Sequence, residues 1–336
     1  MSLETCFQTH SSLLMEGAIL ERIKREFRLV PDEIIALAGL AGTEAGQKAL
    51  AELWGQYGTI ARKYHLPFLA ATPTRRADPE RLKRAGRNES VWKENLAFLK
   101  AIRDRSGIEM YAGGMLGCRG DAYTGEGAQP ESDAYRFHRR QAEAFREGGA
   151  DYLYAALLPT LPEAIGMARA LAATGLPYLL SFTIRRDGKL IDGNTIHEAV
   201  AAIDAAGPKP PLCYLAGCVH PNIVYEALSQ PSNRSNLIRS RFSGIQGNTS
   251  ALSYAELDGS RELRGSDPEE FADAMIRLKQ DMGFRVLGGC CGTDSRHLEA
   301  VARRMSPAHP APSEYAVRAN QSKSRFTKDG FANAAS

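Results

Sequence analysis

A single (β/α)8 TIM barrel, an α/β fold with an irregular C-terminal tail, is the structure that the 336-residue sequence predicts. Eight short apolar runs that end in small or polar residues alternate with longer amphipathic stretches. Strands that alternate with helices form βα units around a parallel sheet. Eight such units in about 300 residues favour a closed barrel over an open doubly wound sheet, which is the alternative. The open sheet is further disfavoured because no GxGxxG motif follows the first run.

The elements follow one another in regular order along the chain. Strands are predicted at residues 13–17, 66–74, 110–117, 151–159, 177–184, 212–219, 241–248 and 285–292. Helices are predicted at residues 45–64, 91–106, 131–148, 161–174, 195–206 and 268–282. In the third of these helices Tyr135, Phe137 and Phe145 interleave with charged residues, and Gly148-Gly149 ends the helix before the next strand. We expect the barrel to occupy residues 1–305.

The composition changes after residue 305. Residues 306–336 are rich in Pro, Ser, Ala and Asn and poor in aliphatic side chains. Such a segment cannot build a core of its own, so we expect an extended or partly disordered tail. A tail of this kind can lie across a neighbouring subunit, and a homo-oligomer is therefore one expected form.

Composition and charge argue against several classes of function. The formal net charge is only +3 and no stripe of Lys and Arg stands out, so no nucleic-acid partner is expected. No run of 18 apolar residues suggests a membrane span, and the N-terminus lacks the pattern of a signal peptide. The six cysteines are too few and too unevenly spaced for a disulfide framework. We therefore expect a cytoplasmic protein whose thiols are free, metal-bound or catalytic.

Three of the cysteines lie at the ends of predicted strands. Cys218 ends the sixth apolar run, and the adjacent Cys290 and Cys291 end the eighth. The working face of a TIM barrel lies at the C-terminal ends of its strands, so the three thiols are expected on that face. Three thiolates with an open fourth position form the ligand set of a catalytic Zn²⁺ site. Alternatively, the adjacent Cys290 and Cys291 are two small apolar residues packed in the core.

The ligand set also indicates the kind of chemistry. A Zn²⁺ ion with three thiolates has a net charge near −1, which makes it poor at activating water. It can still lower the pKa of an incoming thiol, about 8.5 in solution, and leave its sulfur nucleophilic. This chemistry suits attack on an electrophilic methyl group. A zinc hydrolase is disfavoured because the sequence contains neither an H-x-H nor an HExxH motif.

The other cysteines and histidines receive simpler interpretations. Cys213 begins the sixth run and is expected in the core, and Cys6 is expected in a mobile terminus. His220 follows a predicted zinc ligand by two positions, and we expect it to cap the next helix rather than bind metal. His138 and His297 lie in helical patterns and are expected at the surface.

Five segments of the sequence resemble the homocysteine S-methyltransferase family. They are LLMEGAILERI (13–23), ATPTRRADPERL (71–82), SFTIRRDGKLIDG (181–193), AGCVHP (216–221) and GGCCGT (288–293). The resemblance covers roughly residues 12–305. It implies a (β/α)8 barrel in which Cys218, Cys290 and Cys291 hold Zn²⁺.

The resemblance also implies a reaction. A methyl group would pass from an activated donor to the sulfur of homocysteine, giving methionine. Donors in the family include S-methylmethionine, S-adenosylmethionine, betaine and, in multidomain relatives, methylfolate through cobalamin. The length of the chain fits the forms that use a sulfonium donor better than the longer betaine-dependent forms. The expected partners are thus a small-molecule thiol and a methyl donor.

Several positions depart from the family pattern on the substrate side. The family usually has Phe-Glu-Thr after the fourth strand, with the Glu placed to bind the substrate amino group, but here Ala156 stands at the Glu position. The first-strand Asp is replaced by Glu16, the Asn before the first zinc ligand by Gly217, and the Phe of the Thr-Asn-Thr-Phe segment by Arg75. Loss of a carboxylate opposite an ammonium costs about 1.5–3 kcal/mol.

These departures leave the acceptor open. The enzyme either methylates homocysteine, with Glu16 reaching the amino group, or uses a different thiol in a more apolar pocket. A family member that binds zinc or a thiol without turnover is a third interpretation. The candidate substrate-binding residues are Glu16, Gly17, Thr72, Ser181 and Gln246.

Overall fold

The computed structural model of the chain describes residues 1–207, 209–250 and 266–306. Within these residues eight parallel strands close into a barrel in which each strand pairs with its neighbours in the sequence. The first strand also pairs with the eighth, where Leu13 is in register with Val286 and Leu14 with Leu287. The predicted (β/α)8 barrel is confirmed.

Each of the eight apolar runs contains one strand. The strands are β1 (Leu13–Met15), β2 (Phe68–Ala71), β3 (Met110–Gly117), β4 (Tyr152–Leu158), β5 (Tyr178–Phe182), β6 (Cys213–Val219), β7 (Phe242–Gly247) and β8 (Val286–Gly289). Side chains along a strand point alternately to opposite faces of the sheet. In β4, Tyr152 and Tyr154 therefore fill the interior of the barrel, whereas Leu153 and Ala155 pack against the surrounding helices.

The six predicted helices are present, with ends that agree to within two residues. The helices in the described part of the chain are α1 (Leu3–Thr9), α2 (Leu20–Glu26), α3 (Glu44–Lys63), α4 (Pro79–Arg84), α5 (Ser90–Ser106), α6 (Glu131–Glu147), α7 (Leu161–Ala172), α8 (Ile196–Ala205), α9 (Pro221–Leu228), α10 (Asn236–Arg241), α11 (Pro268–Met282) and α12 (Ser295–Met305). None of them combines the length and the hydrophobicity needed to cross a lipid bilayer.

The N-terminal helix closes the barrel at the end opposite the predicted working face. Leu3, Cys6 and Phe7 of α1 are buried in the same cluster as Leu13 and Val286, the first residues of β1 and β8. The expectation that Cys6 lies in a mobile terminus is therefore wrong. The spacing of the three side chains places them on one face of a helix, and that face covers the open end of the barrel.

The boundary after residue 305 stays a prediction. Helix α12 ends at Met305, and Ser306 is the last described residue before the expected tail. The remainder of the predicted tail, 307–336, lies outside the described residues.

Candidate functional site

Three cysteine thiols meet at the C-terminal end of the barrel. Cys218 lies near the end of β6, and Cys290 and Cys291 directly follow β8. The three Sγ atoms lie within 4.8 Å of one another, and those of Cys218 and Cys291 are 3.6 Å apart. All three side chains are half-buried. The structure thus brings together the three residues that the sequence selected as ligands.

A bulge in β6 shapes the backbone at the first of these cysteines. The register with β7 shifts between Gly217 and Val219, and Cys218 has a φ of 54°. This left-handed conformation is unfavourable for a residue with a Cβ and costs about 1–3 kcal/mol. Asn248 secures the bulge: its Nδ2 donates to the Cys218 carbonyl at 2.8 Å, and its backbone N–H donates to the Val219 carbonyl at 3.0 Å. Strain of this kind is typical of functional sites.

A tight turn positions the second and third cysteines. The Cys290 N–H donates to the Gly247 carbonyl at 2.7 Å, and the Thr293 hydroxyl donates to the Cys290 carbonyl at 2.7 Å. Gly292 has a φ of 82°, and a Cβ there would lie 2.0 Å from Oγ1 of Thr249. Only glycine both adopts a positive φ readily and has no Cβ to overlap Thr249. The turn therefore needs this glycine to place two consecutive thiols at one point.

The donor set fits a tetrahedral metal ion. Zinc–thiolate bonds of about 2.3 Å place the sulfur atoms of a tetrahedral site about 3.8 Å apart, close to the measured separations. Hydrogen bonds from the thiols of Cys290 and Cys291 lower the pKa of Cys218 well below its usual value. The same contacts raise the pKa of Cys291. Cys218 is thus the thiol of the three that ionises most readily, because the other two donate to its sulfur.

Two of the predicted substrate-binding residues are linked through a third residue. The Tyr154 hydroxyl donates to Oε1 of Gln246 at 2.7 Å and lies 3.0 Å from Oγ of Ser181. Ser181 Oγ also accepts from the Leu157 N–H at 2.9 Å. The sequence analysis did not select Tyr154. Its place in the alternation of β4, directed into the barrel two residues before Ala156, is the signal that could have identified it.

The other predicted substrate-binding residues are buried in the wall of the barrel. Oε2 of Glu16 accepts from the Trp54 indole N–H at 2.6 Å, and burial raises the pKa of the Glu16 carboxyl to about 8. Thr72 Oγ1 accepts from the Met115 N–H at 3.0 Å, and a Cβ on Gly17 would lie 2.8 Å from the Tyr57 hydroxyl. Glu16 is therefore largely uncharged near neutral pH. A neutral carboxyl is a weak partner for a substrate ammonium.

Leu157 and Gly217 pack closely against each other next to the thiol of Cys218. Leu157 has a φ of 60° and lies where the register between β4 and β5 shifts. A Cβ added to Gly217 would lie 2.5 Å from Cδ2 of Leu157 and 3.1 Å from Oγ of Ser181. A side chain at position 217 is thus incompatible with Leu157 in its present position. The absence of a side chain at position 217 and the position of Leu157 therefore depend on each other.

We expect Gly217→Asn to destabilise the fold by about 1–3 kcal/mol, because the new side chain overlaps Leu157 in a closed site. Combining it with Leu157→Ala should remove the overlap. The double variant should then be about 1–2 kcal/mol more stable than the sum of the single effects predicts. Urea unfolding of the four proteins measures this coupling. Gly42→Asn is the control, since a Cβ at Gly42 meets nothing within 4 Å; additive effects at 157 and 217 would contradict the steric explanation.

The histidines have structural roles in the described residues. His220 is the N-cap of α9, where its side chain accepts from the Asn222 N–H at 3.2 Å, as expected. The expectation that His138 and His297 lie at the surface is wrong. His138 is 1% exposed and lies 3.2 Å from the equally buried Glu163, and His297 is bonded to Asp294 in the capping box of α12. Each gains a polar partner that makes burial favourable.

The described residues thus form a (β/α)8 barrel with a three-thiol site at the C-terminal ends of β6 and β8, suited to a thiophilic metal ion. The model of the homocysteine S-methyltransferase family matches residues 13–305. The chain belongs to this family of S-methyltransferases.

The relatives are distant and match part of the chain. Homocysteine S-methyltransferase 2 of Saccharomyces cerevisiae is 25% identical over 219 residues, 60% of this chain and 63% of the yeast protein. Homocysteine S-methyltransferase of Escherichia coli is 26% identical over 191 residues, 54% of this chain and 59% of that protein. The matched segment therefore spans less than two thirds of either relative.

The solved structures support the fold. The metallated form of the homocysteine methyltransferase MmuM from Escherichia coli superposes with a TM-score of 0.71 at 20% identity. The superposition covers 90% of this chain and 99% of that one. At this level of identity the likeness concerns the architecture of the barrel.

Proposed function

We propose that this protein is a zinc-dependent S-methyltransferase that moves a methyl group from a sulfonium donor to a small thiol. The observation that carries the proposal is the group of three thiols, Cys218, Cys290 and Cys291, whose sulfur atoms lie within 4.8 Å of one another. Membership of the family supports the reaction type. Zinc suits this donor set because three thiolates with an open fourth position are typical of a catalytic zinc site.

The transfer needs no further redox partner. The acceptor thiol releases its proton to solvent, and its sulfur uses the electron pair left behind to form the new bond to the methyl carbon. The donor sulfonium sulfur keeps the electron pair of the broken bond and leaves as a neutral thioether. When bound, zinc would supply the positive charge that keeps the acceptor sulfur deprotonated near neutral pH. S-Methylmethionine and S-adenosylmethionine are both donors of this class.

The chain's own side chains orient the reactants in this proposal. Tyr154 within β4 is hydrogen-bonded to Ser181 near the end of β5 and to Gln246 near the end of β7. Among the described residues, Oδ1 of Asn248 is buried without a hydrogen-bond partner. A buried unpaired acceptor is costly unless a ligand satisfies it. We assign Asn248 to a donor group of the substrate.

Homocysteine is the acceptor that the family suggests, and methionine would then be the product. A different thiol is the second candidate, and the residues around the site favour it. Ala156 offers no carboxylate, and Glu16 is bound to Trp54 and largely protonated near neutral pH. Glu16 therefore does not replace the missing carboxylate.

The test is a matrix of donors and acceptors measured together with metal content. The purified protein should hold about one zinc ion per chain and should transfer a methyl group from at least one of the two sulfonium donors. Homocysteine and thiols without an amino group are the acceptors to compare. A protein that holds zinc but methylates none of these thiols would be a binding member of the family. A protein without bound metal would contradict the proposal.

Two further expectations accompany the proposed function. The six cysteines are free, and a zinc site of three thiolates persists best where thiols stay reduced, which favours the cytoplasm. A homo-oligomer also remains a prediction; size-exclusion chromatography with light scattering tests it.

A further inference from the structure

Arg75 is a half-buried cation at the mouth of the barrel that the proposed reaction does not use. It follows β2 by four residues, at the same end of the sheet as the three thiols. Its main chain and the base of its side chain cross the end of β3 closely. A Cβ on Gly117 would lie 2.4 Å from the Arg75 carbonyl oxygen and 2.6 Å from its Cγ.

The loop that carries Arg75 is anchored on both sides. The Thr74 hydroxyl donates to the Met115 carbonyl at 2.7 Å, and the Ala77 N–H donates to the Thr74 carbonyl at 2.9 Å. Asp78 then caps α4 by accepting from the Arg81 N–H at 3.0 Å. The base of the Arg75 side chain is therefore fixed before any ligand binds, and a fixed cation loses little entropy on binding an anion.

No carboxylate forms an ion pair with Arg75 in the described ranges, although its side chain is half-buried. Several other arginines shielded from water contact an acidic side chain: Arg22 with Glu26, Arg81 with Asp78, Arg103 with Asp151 and Arg241 with Asp204. Arg285, which is half-buried and has no carboxylate partner either, donates instead to the carbonyls of Phe7 and His10. The nearby Asp121 forms no ion pair with Arg75: its Oδ1 accepts from the N–H groups of Tyr123 and Thr124, and these bonds, followed by the charge of Arg75, lower the pKa of its carboxyl. A guanidinium shielded from water without such a partner is costly, and a ligand anion would offset that cost.

The charge of Arg75 reaches the thiol site. Burial by itself would lower the pKa of Arg75, but the neighbouring Tyr123, Cys118, Cys218 and Cys290 outweigh it and the pKa is raised. The guanidinium therefore stays charged at any physiological pH. Ala156 carries no charge, the carboxyl of Glu16 is largely protonated near neutral pH, and Oε2 of Glu21 already accepts from the Gly292 N–H at 2.6 Å. Arg75 is therefore a full positive charge that interacts with the thiol site and has no ion pair among the described residues.

We infer that Arg75 binds an anionic group of the acceptor, and that the preferred acceptor is a thiol that carries a carboxylate or sulfonate and no ammonium group. This inference rests on the proposed function and specifies its substrate class. Homocysteine would satisfy Arg75 with its carboxylate, but Ala156 offers no carboxylate to its ammonium, and those of Glu16 and Glu21 already accept from the Trp54 indole N–H and the Gly292 N–H. The same thiol without the amino group avoids that cost.

Matched thiols of similar length test the inference. They are 4-mercaptobutyrate, 3-mercaptopropanesulfonate, homocysteine and the uncharged 4-mercaptobutanol. We expect the carboxylate or the sulfonate to have a kcat/KM about 10- to 100-fold above that of the alcohol, as for a charge-assisted hydrogen bond. Comparison of the two anions shows which acid group fits. Equal values for the anionic and uncharged thiols would overturn the inference.

Arg75→Met should remove the preference for anions, and Arg75→Lys should restore part of it because the charge remains but the two-pronged hydrogen bonding is lost. Arg76→Gln, which removes the exposed neighbouring arginine, is the matched control and should change selectivity less than about twofold. Zinc content should be unchanged in all three variants. If Arg75→Met instead loses zinc and lowers kcat/KM equally for all thiols, Arg75 stabilises the thiolates of the metal site and the inference is wrong.

Calorimetric binding of 4-(methylthio)butyrate separates the inference from the proposed function. Binding that depends on Arg75 in a protein that transfers no methyl group would uphold anion recognition and contradict the enzyme activity. Methyl transfer to uncharged thiols without any dependence on Arg75 would uphold the enzyme activity and contradict anion recognition.

Discussion

Cys290→Ser is expected to remove the bound metal and to reduce methyl transfer by a factor on the order of 10³ or more. The serine hydroxyl is a poor ligand for zinc beside two thiolates, and the loss of one of three protein ligands leaves the site too weak to retain the ion. Cys218→Ser and Cys291→Ser should behave alike, because all three sulfurs converge within 4.8 Å. Metal analysis and a methyl-transfer assay on the same preparations measure both effects.

Cys213→Ala is the matched control for these variants. Cys213 begins β6, the strand that Cys218 nearly ends, and its buried side chain lies in the interior cluster at the opposite end of the strand. Its replacement should cost some stability but keep a full complement of metal. Retention of metal after Cys290→Ser, with activity intact, would rule out the three-thiol site as the catalytic centre.

Glu16→Gln is expected to stabilise the protein at alkaline pH and to leave it almost unchanged at pH 4. Burial raises the pKa of Glu16 to about 8 in the folded state, from 4.5 as the ordinary value. Between these values the folded protein binds more protons than the unfolded chain, so its stability falls as the pH rises. One pKa unit corresponds to about 1.4 kcal/mol, so the free energy of unfolding should fall by roughly 5 kcal/mol across this pH range. Glutamine keeps an oxygen acceptor for Trp54 and carries no such penalty.

Urea unfolding at pH 4.5 and pH 8.5 tests this expectation by the difference between variant and wild type. The advantage of Glu16→Gln should appear at the higher pH alone. Glu33→Gln, which removes an exposed carboxyl, should follow the wild-type profile. A constant difference between Glu16→Gln and wild type at both pH values would mean that Glu16 is already charged in the folded protein.

The pattern of the sequence predicted the barrel because each strand and helix has its own local signal. An amphipathic stretch such as Glu131–Glu147 carries a helical period, and a glycine follows it directly. The three thiols could be predicted for a similar reason. Parallel strands place their C-terminal ends on one face, so cysteines that end β6 and β8 are brought to the same side of the barrel.

The substrate side could not be predicted in the same way. The Leu157 side chain lies against Gly217 at a bulge in β4, where Leu157 has a positive φ. No local pattern in the sequence predicts this contact. The sequence pattern leaves Glu16 free to contact a substrate, whereas in the structure Glu16 accepts a hydrogen bond from Trp54, which lies on a different element. The burial of Cys6 likewise depends on α1 closing the far end of the barrel.

The sequence by itself determined the order of strands and helices and the three thiols that meet at one end of the barrel. These features follow from local periodicity and from the direction of parallel strands, and neither depends on the details of packing. Only the tertiary structure decided how the charges of the pocket are distributed. It encloses the carboxyl of Glu16 beside Trp54 and leaves Arg75 without a carboxylate partner among the described residues, close to Cys218 and Cys290. Burial and pairing set the charge of a group, and both depend on residues far away in the sequence.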